Sequence, residues 1–68
     1  MITKDQAKSL ALDYHYFHRA CHEGDHEGVA LWGRALIDSQ REAGVVLAPE
    51  NIIEQNITNA EARENENL

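Results

Sequence analysis

Apolar positions recur at helical spacing from the start of the chain. Ala7, Leu10, Tyr14, Phe17 and Cys21 follow at intervals of 3, 4, 3 and 4. Such spacing places them on one face of a helix and does not fit the two-residue period of a strand. Thr3-Lys4-Asp5-Gln6 precedes the stripe and has the capping-box form, with Ile2 and Ala7 set for a hydrophobic staple. A first helix is therefore predicted over about residues 4–23, stopped by Gly24.

Asp25 is a good N-cap for a second helix over about 26–43. Its expected core face is Val29, Trp32, Leu36 and Ala43, with Ser39 among them, and Gly44 supplies the stop. Gly33 borders that face and suits the close approach of another helix. The link between the two helices is so short that they must fold back as an antiparallel hairpin. Val45-Val46-Leu47-Ala48-Pro49 is too short for a helix and reads as an extended connector across the hairpin. A shorter third helix is predicted over about 49–60, with Pro49 at its first position and Ile53, Ile57 and Ala60 inward. Thr58-Asn59-Ala60-Glu61 repeats the capping-box form and marks a break or restart. Residues 61–68 have no apolar face, and their glutamates oppose the dipole of a helix C-terminus, so an acidic, frayed tail is expected there.

These elements define an all-α fold in one small domain, residues 1–60, followed by the tail. A chain of 68 residues has room for no more, and a core of this size rarely supplies more than ~3–5 kcal/mol. Two helices alone cannot shield Phe17, Trp32 and Leu36 from water. Either the third helix covers them or a second chain does, and a homodimer forming a helical bundle is the expected solution.

Composition is ordinary for a globular protein, at 43% hydrophobic and 26% charged. No apolar run reaches the length of a membrane span, and no secretory leader is evident in the first residues. A single cysteine excludes an internal disulfide and fits a reducing, cytoplasmic setting. Charge is uneven: residues 1–41 carry five bases and six acids, residues 42–68 six acids and one base. The acidic C-terminal third disfavours direct binding to nucleic acid and suits a basic partner surface.

Two patterns invite a chemical reading. His22-Glu23-Gly24-Asp25-His26 has the H-E-x-x-H form of zinc peptidases. Gly24 and Asp25 fall between its histidines, where a helix must stop and another begin, so a peptidase is not expected. His15, His18 and His22 share one edge of the first helix and His26 follows the turn. His18, His22 and His26 are thus the candidate metal ligands, although polar residues flanking a core give the same pattern. Cys21 falls on the expected core face and reads as a buried thiol.

Without a catalytic constellation, basic patch or membrane segment, the expected function is non-enzymatic. The chain reads as a protein–protein interaction module, an adaptor or inhibitor that needs no cofactor. Its setting would be that of the accessory proteins of phages and mobile elements. Candidate contact residues are Tyr16 and Leu31, on the polar sides of their helices, and Glu54, Glu61 and Glu64. Two alternatives are a metal-binding or metal-sensing protein using the histidine edge, and an acidic mimic of nucleic acid.

Overall fold

A computed structural model describes residues 2–66 as three helices, α1 (Lys4–Glu23), α2 (His26–Ala43) and α3 (Glu50–Glu66). There is no strand among the described residues, and the fold is all-α. α1 and α3 each pack on α2, so the middle helix is the spine. None of the three is long and apolar enough to cross a membrane.

The helix ends are set by the chemistry expected of them. Thr3 Oγ1 accepts from the Gln6 N–H at 3.1 Å, and Gln6 Oε1 accepts from the Thr3 N–H at 2.9 Å. Asp25 caps α2 by accepting from the Gly28 N–H at 3.1 Å. Gly24 and Gly44 end α1 and α2 in the left-handed region, with φ of 71° and 68°, which a side chain there would oppose.

α2 buries more of its circumference than a single stripe predicts. Gly28, Val29, Ala30, Gly33, Leu36, Ile37 and Gln40 are all buried, because the helix meets a neighbour on each side. Leu36 and Ile53 are wholly buried. Gly33 lies where the three helices meet. A Cβ there would come within 2.8 Å of Ile57 Cγ1 and Cδ1 and 3.1 Å of Phe17 Cε1. Through this contact α3 supplies the cover that Phe17 and Leu36 need, and Trp32 is left half-buried at the edge.

Several positions differ from expectation. α1 turns Leu10, Phe17 and Ala20 inward, with Asp13 half-buried, while Ala7, Tyr14 and Cys21 are exposed. The rotation follows from the α2 contact, where the Ser39 hydroxyl donates to the Asp13 carboxylate. Cys21 is therefore not a core thiol. α3 begins at Glu50, with Pro49 one position earlier as its cap: the Pro49 carbonyl accepts from Ile52 and Ile53. It runs unbroken past Thr58, and its end is at Glu66, not at residue 60. Arg34 donates to Glu61 at 2.8 Å and supports that extra turn from α2. The remainder of the expected tail, residues 67–68, lies outside the described residues.

In the connector only Val45 and Ala48 are half-buried, while Val46 is 72% exposed. Its fixed point is the buried Gln40. Oε1 accepts from the Leu47 and Ala48 N–H groups at 2.8 and 2.9 Å, and Nε2 donates to the Ala48 carbonyl at 3.0 Å. One side chain thus satisfies three backbone groups of a loop that has no regular structure of its own.

Candidate protein-docking face

The outer side of the α1/α2 hairpin, away from α3, carries an aromatic pair. Tyr16 of α1 stacks on Trp32 of α2, with ring centroids 4.7 Å apart and planes at 25°. His15 meets Tyr16 edge-on at 5.3 Å. Leu12, one turn before Tyr16, is 45% exposed. Leu31 is 61% exposed, and Ala35, one turn along α2, lies beside both it and Trp32. The patch exists because α3 occupies the opposite flank of α2 and no other described element covers this one. At its end a cleft of about 200 Å³ is lined by Tyr16, Arg19, Ala20, Glu23, Asp25 and Trp32. Arg19 Nε donates to Glu23 Oε1 at 3.0 Å there, and that hydrogen bond raises the guanidinium pKa further.

A second cleft, of about 300 Å³, opens between the C-terminal end of α1 and α3. It is lined by Cys21, Gly24, His26, Val29, Asn56, Asn59, Ala60 and Arg63. The cleft walls partly desolvate the Cys21 thiol and push its pKa above the ordinary 9.0. That is the wrong direction for a nucleophile, which reacts as the thiolate.

The histidines are not assembled into a ligand set. His22 is in the last turn of α1 and His26 in the first of α2, with the left-handed Gly24 between them. His18 stacks on Tyr14 at 6.2 Å. No group of three or more His, Cys, Asp or Glu side chains is gathered for a metal among the described residues. Melting with zinc and then with chelator is expected to give the same midpoint. Replacing both His18 and His22 by Gln should cost about 1 kcal/mol or less, the scale of surface changes. A zinc-dependent rise of several degrees that His18→Gln abolishes would overturn this.

All three acidic candidates, Glu54, Glu61 and Glu64, are exposed on α3. Glu61 pairs with Arg34 at 2.8 Å, and Glu50, outside the candidates, pairs with Arg41 at 2.6 Å. The Arg41 hydrogen bond holds the Glu50 carboxyl below its ordinary 4.5. Two of the acids are thus engaged by arginines of α2, which lowers the free negative charge a nucleic-acid mimic would present.

Of the sequence candidates, Tyr16 lies in the aromatic pair on the hairpin's outer side, Leu31 is exposed on α2 next to Trp32 in sequence but turned round the helix from it, Glu61 pairs with Arg34, and Glu54 and Glu64 are exposed on α3. Leu12 and Trp32 also belong to this patch and are not among the sequence candidates. Leu12 carried a signal in its four-residue spacing to Tyr16, while Trp32 looked like core because its depth depends on where α3 lies. Comparison with protein-family models, curated proteins and solved structures finds no match for the chain.

Proposed function

We propose that the chain is a non-enzymatic interaction module, an adaptor or inhibitor that docks on protein through the outer α1/α2 face. The observation that carries this is the Tyr16–Trp32 stack, with Leu12 and Leu31 exposed near it and no element of the described residues over it. Aromatic side chains with an apolar body and a polar tip are favoured in protein interfaces. They supply large contact area, and the stack already holds both rings in place, so little side-chain freedom is left to lose on binding.

The test is capture from a lysate of the native source by immobilised wild-type chain, compared with a Tyr16→Ser, Leu31→Ser double variant. Both replacements are at exposed positions, and circular dichroism checks that the helices are retained. The expected result is a prey held by the wild type and lost by the variant. Equal capture by both, or no prey with the wild type, would contradict the proposal.

A further inference from the structure

We infer that the occupant of the outer α1/α2 face is a second copy of this chain, with the two α1 helices antiparallel about a two-fold axis at Leu12. The inference rests on the reading of this face as a docking surface and names a second copy as its occupant in the free protein, which any other partner must displace. Its ground is the charge pattern of the exposed side of α1. Asp5, Leu12 and Arg19 are seven residues apart in turn and all exposed, so they share one line along the helix. The line has an acid at one end, a leucine at its midpoint and a base at the other end. Antiparallel pairing about Leu12 sets each Asp5 against the partner subunit's Arg19, so opposite charges meet at both ends. Parallel pairing in register sets acid on acid and base on base.

The rest of the face agrees with that register. The first turn of α1, with Lys4, falls over the partner subunit's cleft, whose lining includes Glu23 and Asp25 beside Tyr16, Arg19 and Trp32. Long-range electrostatics also select this flank. The acidic helix α3 packs on the other side of α2, with Glu50 and Glu61 tied to Arg41 and Arg34. Two copies meeting through the hairpins keep their acidic thirds apart by more than the helix pair between them, and salt screens charge beyond roughly 8–10 Å. A dimer through α3 would bring the same acids together.

The experiment is sedimentation equilibrium of the full chain over a concentration series from low to high micromolar. The expected mass rises from 7.7 kDa to twice that value. Arg19→Asp or Asp5→Arg alone sets like charges together at both ends and is expected to weaken the dimer about tenfold or more. The two changes on one chain exchange the charges and are expected to restore it. All these positions are on the surface, and thermal melting of each variant confirms that it is folded. A monomer at every concentration, a dimer indifferent to Arg19→Asp, or a double variant as weak as the single ones would overturn the inference. A monomer that still captures a prey removes only the second copy. A dimer that captures no prey leaves the pairing in place and removes the adaptor role.

Discussion

Replacing Gly33 by leucine is expected to leave the chain largely unfolded. The first atom added already meets Ile57 Cγ1 and Cδ1 at 2.8 Å and Phe17 Cε1 at 3.1 Å. Three further carbons must then enter a space shared by all three helices. Overpacking of this kind typically costs about 1–3 kcal/mol, occasionally more, while leaving glycine gains at most about 1 kcal/mol of helix propensity. A core of this size supplies little beyond ~3–5 kcal/mol in total, so the loss removes most of it. Gly33→Ala sets the propensity gain against the clash of a single methyl and should lose far less. Urea titration followed by circular dichroism measures both. A Gly33→Leu chain as stable as the wild type would mean that α1 and α3 do not approach α2 at that point.

The second large effect is expected at Gln40. Gln40→Met keeps the length and volume of the side chain and removes all three hydrogen bonds to Leu47 and Ala48. Backbone groups of the connector then lose their partners in a half-buried site. Each net hydrogen bond is worth about 0.5–1.5 kcal/mol, so the three together are worth about 1.5–4.5 kcal/mol. Gln40→Glu keeps an acceptor for the two N–H groups and loses the donation to the Ala48 carbonyl, so it should fall between the two. Hydrogen exchange gives the specific readout, with faster exchange expected at the amides of Leu47 and Ala48. Unchanged protection there would show that the loop is held by something other than Gln40.

Those two residues also mark what the sequence could tell. The capping box at Thr3, the Asp25 cap and the glycine stops act over three or four residues, and local chemistry is enough to read them. The pairing of α1 with α2 follows from a link too short for any other arrangement. Gly33 was legible as a point of close approach because it lies beside an apolar stripe. What was not legible depends on the third helix. Whether Tyr14 and Cys21 or Asp13 and Ala20 face inward is a choice between neighbouring lines on α1, decided by the Ser39 contact and the position of α3. The end of α3 was misread because Arg34 is 27 residues from Glu61, and no local pattern shows that pair. Gln40 was invisible for a related reason, since a polar residue beside a core stripe looks solvated until a loop folds back over it. At the proposed docking face, Tyr16 is legible from its place off the apolar stripe, whereas Trp32 requires knowing which flank of α2 stays uncovered.

The most direct test of the docking face uses Trp32, the only tryptophan in the chain, as its reporter. Acrylamide quenching of its fluorescence is measured on dilute protein, on concentrated protein and on dilute protein with a captured prey. In the dilute monomer the half-buried indole, stacked on Tyr16 at the open edge of the hairpin, should be accessible to the quencher. When the face is occupied by a second copy or by another protein, quenching should fall, and Leu12→Asp should keep it at the dilute level at every protein concentration. Quenching that stays the same at every concentration and in the presence of prey would contradict the assignment of this face as the docking surface.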